Sequence, residues 1–252
     1  MNINKKVIDH FRAQAENAII RRVTVGLGYT VVETESGTRG MGLSYTWLPR
    51  KAGCHVIKEY TNFEGKPALL LLEKWNSDNT IERTLALACT NALNYRQAAS
   101  LPEERGDTGI YEVLGIGPGS HVAMVGFFKP LISPMKERGA EVEIIDIHHQ
   151  VGDEARFSEK LENWANTFII TATAFLNNSI EGLLSRLPEE GKTVILGPST
   201  PMVPEIFEGY PVTLLAGTVP LDFEAVERSV RHGTGTPVIQ KFGKKVSMMI
   251  AR

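Results

Sequence analysis

The sequence predicts two units of different class: a small α+β unit over residues 1–105, and a doubly wound, Rossmann-like α/β unit over residues 106–252. Three observations carry this. From His121 onward, five short apolar runs alternate with helical segments, the rhythm of a parallel sheet with right-handed crossovers. Before that, a helical segment leads into a meander of β-branched and aromatic residues and then into more helix, an α+β arrangement. Between the two lies AASLPEERGDTGIYEVLGIGPGS, residues 98–120, where Pro, several Gly and a charge run mark a connection.

Taken in order, KKVIDHFRAQAENAI places Val7/Ile8, Phe11, Ala15 and Ala18 at helical spacing. RRVTVGLGYTVVETESGTRGMGLSYTW reads as short strands broken by Gly and by the turn Ser36-Gly37. NTIERTLALACTNALNY is a helix whose stripe is Ile81, Leu85, Ala88, Ala92 and Tyr95. Asn79 with Glu82 three residues on is a capping box, in which each side chain satisfies a backbone donor orphaned at the helix start. A second stripe, Thr84, Leu87, Asn91 and Asn94, is either a solvated face or a contact with the other unit or a ligand, since Asn in mid-helix carries a propensity cost. Trp47 and Trp75 are expected as partly buried core or interface aromatics.

In the second unit the strands are HVAMVGF, AEVEIIDI, TFIITAT, KTVILG and PVTLLAG. They are continuous apolar runs, as required when both faces of a sheet are covered. Helical segments are expected near 131–138, 155–164, 178–187, 202–208 and 221–232, and PVIQKFGKKVSMMIAR adds a final strand.

Apolar residues are 42% and charged residues 22%, so a sizeable core is expected. The net charge of −2, with both signs mixed, argues against a nucleic-acid surface, which needs clustered positive charge. It permits a homo-oligomer without demanding one. No apolar run approaches the ~20 residues of a membrane span. The start MNINKKVIDHF lacks the apolar core of a signal peptide. The only cysteines are Cys54 and Cys89, with no CxxC, and a reduced cytoplasmic setting is expected.

In open α/β sheets the ligand crevice lies outside the carboxyl ends of the strands. The residues there are Gly126 and Phe127, then Asp146 with His148 and His149, then Thr171, Thr173, Asn177 and Asn178. Gly197, Pro198, Ser199 and Thr200 follow the fourth strand, and Gly217 with Thr218 the fifth. Thr200 before Pro201 reads as an N-cap and first helical residue. Asn178 with Glu181 repeats the capping-box pattern. Two helix starts would then aim free N–H groups into one crevice, suiting an anionic or carbonyl-rich small molecule. The competing explanation is that every doubly wound domain needs caps and glycines at such turns.

Several chemistries are excluded or weakened. Gly115-Ile-Gly117-Pro-Gly119 precedes the first strand of the α/β unit instead of following it, and two aromatics after Gly126 would crowd a pyrophosphate, so a standard NAD site is not expected. Asp146, twenty residues beyond Gly126, keeps a nucleoside-like ligand open through its ribose hydroxyl. No P-loop and no GxSxG is present. Metal ligands could come from Asp146, His148, His149, Cys54 and His55, but none has a recognised zinc spacing, and adjacent residues on a strand face opposite sides. A metal carried within a chelating organic ligand would not need such a site.

The runs HVAMVGFF, ITATAFLNNSIEGLL, VILGPSTPMVPEIF, LLAGTV and HGTGT resemble the heavy-metal chelation family of prokaryotic proteins, over about residues 115 to 245. VTVGLGYTVVE and LACTNAL are similar to the small domain that accompanies it, which is like the amino-terminal domain of enolase. The resemblance implies an enolase-N-like domain packed on a Rossmann-like one, with a cleft between. It also implies that a metal ion or metal chelate is handled there. Enolase chemistry is not implied, because the barrel that carries it is missing. Carried over, the cleft would be lined by Gly126, Phe127, Thr171, Thr173, Asn177, Asn178, Gly197, Pro198, Ser199 and Thr200, with His232-Gly233-Thr234-Gly235-Thr236 as a flap or an ordinary connection.

Three functions compete on these grounds. The first is a small-molecule binding protein that holds an anionic or metal-chelating ligand in the inter-domain cleft. The second is an enzyme acting on such a ligand, with Ser199 or Thr173 as polar contacts and Asp146 or a flanking histidine moving a proton. The third is a homo-oligomeric scaffold without a ligand. No complete catalytic motif decides between them.

Overall fold

A computed structural model describes residues 2–47, 62–104, 106, 108–147 and 149–250. Cys54, His55 and His148, named above as metal candidates, lie outside the described residues.

The chain opens with α1 (Ile3–Asn17), capped by Asn2, whose side chain accepts from the Lys5 amide. Its buried face is Ile3, Val7, Ile8, Phe11 and Ala15, the stripe expected from the sequence. The strands β1 (Ile19–Val25), β2 (Tyr29–Ser36) and β3 (Thr38–Tyr45) form an antiparallel three-stranded sheet, and the β2–β3 turn passes through Gly37. After α2 (Leu69–Leu72), the helix α3 (Thr80–Leu93) lies across this sheet. The approach is too close for side chains: a Cβ on Gly42 of β3 would stand 2.1 Å from the Ala88 carbonyl oxygen and 2.3 Å from the Ala92 amide. Asn79 does cap α3, accepting from the Ile81 and Glu82 amides. The reciprocal half of the box is replaced, because Glu82 bonds Lys74 and Ser77 instead. Two short helices, α4 (Tyr95–Ser100) and α5 (Thr108–Leu114), carry the chain across the segment read as a connection.

The second sheet has six strands: β4 (His121–Val125), β5 (Glu141–Ile145), β6 (Thr167–Thr171), β7 (Lys192–Leu196), β8 (Leu214–Pro220) and β9 (Gly243–Met249). Their order is β5-β4-β6-β7-β8-β9, parallel throughout except for β9, which runs antiparallel to β8. Between the strands stand α6 (Lys129–Glu137), α7 (Glu154–Asn163), α8 (Ile180–Leu184), α9 (Phe223–Arg231) and α10 (Thr236–Ile239). The chain leaves β4 to one side for β5 and returns to the other side for β6. That reversal is a topological switch point, where open α/β sheets form their crevice.

Residue alternation explains the unbroken apolar strands. Val122, Met124, Ile169, Val194 and Leu214 pack with Leu114, Leu131 and Met135 in one buried cluster. Their neighbours Ala123, Phe168, Ile170, Ile195 and Leu215 point the other way, into a cluster shared with α1, α2 and α3. The far face of the small sheet, through Val31, Met41 and Leu43, packs on Val226, Val230 and Ile239 of α9 and α10.

The polar stripe of α3 is an inter-unit contact, not a solvated face. Asn91 donates to the carbonyls of Leu43 (2.8 Å) and Ser199 (3.0 Å), and Asn94 donates to Met202 (2.7 Å). On the same helix the buried Arg83 donates through Nε to the Phe175 carbonyl at 3.0 Å and also reaches the Trp75 carbonyl. Burial pulls its pKa down, with nearby Asp78 opposing.

Two expected helix starts are corrected. Residues 201–203 are not helical, and a single 3₁₀ turn begins only at Pro204. The Thr200 hydroxyl turns back to the Gly197 carbonyl (2.8 Å) and the Thr200 amide does the same, closing a tight turn in place of a cap. Met202 and Val203 are thereby buried at the junction. Asn178 does not cap either: it sits at φ +61°, and α8 starts after Ser179 with no side-chain cap.

Candidate functional site

A cavity of about 430 Å³ opens at the switch point and is bounded by both sheets. Such a volume is in the range of a site for a small organic molecule. Its first wall is the strand-end loops. Gly126, at φ +99°, ends β4 in a conformation that other residues rarely adopt, and its amide donates to the Ile145 carbonyl (2.8 Å). Phe127, Phe128, Pro130 and Leu131 follow and make this wall apolar. From β6 come Thr171 and Thr173, whose hydroxyls bond each other at 3.0 Å. From β7 come Leu196, Gly197, Pro198 and Ser199.

Asp146 lies at the edge of this wall, but its carboxylate is already engaged. One oxygen accepts the Phe127 amide and the other the His149 amide, both at 2.8 Å. The His149 ring stands 3.1 Å from the latter oxygen. Burial raises the pKa of this carboxyl, but the amide and ring of His149, and then the Phe127 amide, outweigh it and hold the group below its usual range. Asp146 therefore ties two loops together.

Ser199 is similarly occupied. Its hydroxyl accepts the Tyr45 amide at 2.7 Å, joining the small sheet to the β7 loop. Tyr45 and Tyr29 form the floor of the cavity from that sheet, with rings edge to face at 5.7 Å. The Tyr29 hydroxyl pairs with Thr236 at 2.7 Å, and burial raises its pKa despite that bond.

The second wall comes from the end of the chain. Gly217 and Thr218 of β8, Lys245, Val246 and Ser247 of β9, Gln240, and Glu104 all line the cavity. Residues 103–104 run beside β9: Glu103 bridges Val246, and the Glu104 amide donates to the Lys245 carbonyl at 2.9 Å. The Ser247 hydroxyl donates to the Glu104 carboxylate. Thr236 ends the HGTGT run and Gln240 follows it, so this glycine-containing connection borders the cleft.

Of the residues expected from sequence, Gly126, Phe127, Asp146, Thr171, Thr173, Gly197, Pro198, Ser199 and Gly217 come together around the cavity. Asn177, Asn178 and Thr200 do not line it. Asn177 and Asn178 are exposed, the first accepting from Ser179 and the second from Asn4. Thr200 is buried in its turn. Sequence reasoning missed Tyr29, Tyr45, Glu104, Gln240, Lys245 and Ser247. The available signal was the alternation in KKVSMM, which puts Lys245 and Ser247 on one face of the last strand.

Among the described residues the donor set does not fit a bare heavy-metal ion. Among the described residues no three His, Cys, Asp or Glu side chains converge. Among the described residues Asp146 and His149 meet no third His, Cys, Asp or Glu side chain, and both carboxylate oxygens already accept amides. Soft metals take thiolate; the cysteine among the described residues, Cys89, is buried in the core, its thiol pushed up to about 12 by that burial.

Comparison with known proteins adds the following. A family model, DUF364, described as "Putative heavy-metal chelation", matches residues 110–249. A second model with the same description, DUF4213, matches residues 8–94. An uncharacterised protein of Methanocaldococcus jannaschii is 23% identical, over 98% of this chain and 96% of that protein. Two solved structures of DUF364 proteins of unknown function share the fold. The one from Pyrococcus horikoshii has TM-score 0.78 at 21% identity, covering 98% of this chain and 100% of that one. The one from Desulfitobacterium hafniense has TM-score 0.75 at 20% identity, covering 97% of this chain and 98% of that one.

Proposed function

This chain belongs to the DUF364 family, and on that premise we propose that it holds a small organic ligand of the metal-chelating class in the cleft between its two sheets. The observation that carries the proposal is the cavity of about 430 Å³ at the switch point, closed from the opposite side by Tyr29 and Tyr45. A metal enters this reading as cargo bound by the ligand, because among the described residues no three His, Cys, Asp or Glu side chains gather into a coordination shell. The first wall supplies apolar surface and a hydroxyl pair, which suits an organic body better than an ion. The polar groups that looked catalytic, Asp146 and Ser199, are engaged in joining loops. That favours binding over the proton-transfer chemistry considered from sequence.

The test is native mass spectrometry with elemental analysis of protein purified without exchange, followed by titration with metals, chelates and organic anions. A small organic species released on denaturation, or taken up from the panel alone or with a metal, is the expected result. Retention and uptake of nothing across that panel would overturn the proposal.

A further inference from the structure

The two helix starts that would have drawn an anion to the crevice do not form: Thr200 closes a tight turn, and Asn178 caps nothing. The charges around the cavity point the other way. Asp146 is matched by two backbone amides and by the His149 ring at 3.1 Å. Lys245 already has an interaction within the protein. Glu104 differs from both. Its backbone is fixed by the bond from its amide to the Lys245 carbonyl at 2.9 Å, and its side chain lines the cavity. One carboxylate oxygen accepts the Ser247 hydroxyl. Among the described residues that hydroxyl is the side chain's one partner, and it is neutral. The carboxylate has acceptor sites left over, and its charge is offset by no cation at ion-pair distance.

Glu104 is partly buried. A ligand that displaces water from the cavity must match this charge or leave it desolvated and alone, which is costly. The rest of the lining describes the ligand's body. Phe127 and Phe128 enter from the β4 loop, and Tyr29 and Tyr45 from the small sheet. A Cβ on Gly126 would stand 2.9 Å from the Thr171 Cβ and 3.3 Å from the Phe128 ring, so only glycine lets that ring lie against the loop. Aromatic faces carry negative partial charge and favour a nearby cation over an anion. A ligand carboxylate would therefore meet both the rings and Glu104 unfavourably.

From this we infer that the cleft selects an organic cation: a protonated amine directed to the Glu104 carboxylate, on an aromatic body that rests against Tyr29, Tyr45 and the two phenylalanines. This rests on the reading that the cleft holds a small organic ligand, and it names that ligand's charge and chemical class. An amine nitrogen becomes a metal donor once deprotonated, so the class agrees with a metal-chelating ligand.

The test is calorimetric titration of the full-length wild-type protein with four probes: 2-phenylethylamine, the neutral 2-phenylethanol, the anionic 3-phenylpropionate, and n-butylamine, which keeps the charge and lacks the ring. The expected result is that 2-phenylethylamine binds about tenfold or more tighter than each of the other three. Glu104→Gln keeps an acceptor for the Ser247 hydroxyl and removes the charge. It should bring 2-phenylethylamine to within about threefold of 2-phenylethanol and leave the alcohol's affinity unchanged. The four-probe comparison on wild type decides the matter even if the variant folds poorly. Equal or tighter binding of the alcohol, the carboxylate or the ringless amine overturns the inference while leaving the cleft a ligand site. No binding of any of the four also overturns it, and the small molecule retained by purified protein then decides the broader reading separately.

Discussion

Along the strand-end wall, Asp146 and Ser199 accept bonds from backbone amides, whereas along the β9 wall the Ser247 hydroxyl donates to another side chain, the Glu104 carboxylate, and Gln240 and Lys245 line the cavity beside them. The difference follows from what each wall must do. Strand-end loops leave backbone amides without ladder partners, and a short polar side chain is the nearest available acceptor. The β9 backbone is instead paired with β8 on one side and, at Lys245 and Val246, with residues 103–104 on the other, so that duty falls to backbone partners. Small polar residues in a loop are therefore weaker evidence for ligand contact than charged residues on the inward face of a strand.

If this contrast holds, substitutions on the first wall cost stability and those on the second cost binding. The largest effect is expected at Asp146. Asp146→Ala orphans the Phe127 and His149 amides together and should lower the unfolding free energy by about 2–4 kcal/mol. Lys245→Met and Glu104→Gln should each stay within about 1 kcal/mol of wild type. Urea denaturation of the three variants measures this. Equal losses on both walls would break the comparison.

A smaller effect sharpens it at a single hydrogen bond. Ser199→Ala takes the hydroxyl acceptor from the Tyr45 amide in a half-buried junction and should cost about 1–2 kcal/mol. The same junction keeps the Asn91 bond to the Ser199 carbonyl, which alanine retains. The predicted loss is thus below that at Asp146. A cost equal to that of Asp146→Ala would mean that the bond to Tyr45 holds more of the inter-sheet contact than the geometry assigns to it.

How far these features could be read from the chain depends on their range. The five parallel strands were legible because both of their faces are buried, which leaves unbroken apolar runs. The Asn79 cap was legible because its partners lie within three residues. The Thr200–Pro201 helix start was not, because the local pattern competes with burial of Met202 and with the Asn94 bond from another element. Glu104 was illegible for the same reason: its place beside Ser247 depends on a pairing across 143 residues. Tyr29 and Tyr45 read as ordinary strand aromatics, and only the docking of the two sheets makes them a floor. The cleft's position was thus predictable from strand ends, while its charged wall needed the tertiary pairing of the last strand.

The smallest effect is the pH dependence that Asp146 should impose. Its carboxyl is held below the usual range in the folded protein, burial notwithstanding, by the His149 amide and ring and the Phe127 amide. A group depressed on folding contributes stability that is fully present above its unfolded pKa, about 3.9 for Asp. That contribution is lost as pH falls through the folded value. The urea midpoint should therefore decline as pH drops below about 4, and the decline should be shallower in Asp146→Asn. Some acid slope should remain, because Glu82 is shifted in the same direction: burial opposes the shift, and bonds from Lys74 and Ser77 prevail. The Lys74–Glu82 pair is only partly buried, so its share should shrink in high salt. The Asp146 share, which rests mainly on fixed backbone amides, should persist. An acid limb in Asp146→Asn that matches wild type at both salt concentrations would mean that the first wall does not depend on this charge, and the asymmetry between the walls would then rest on packing alone.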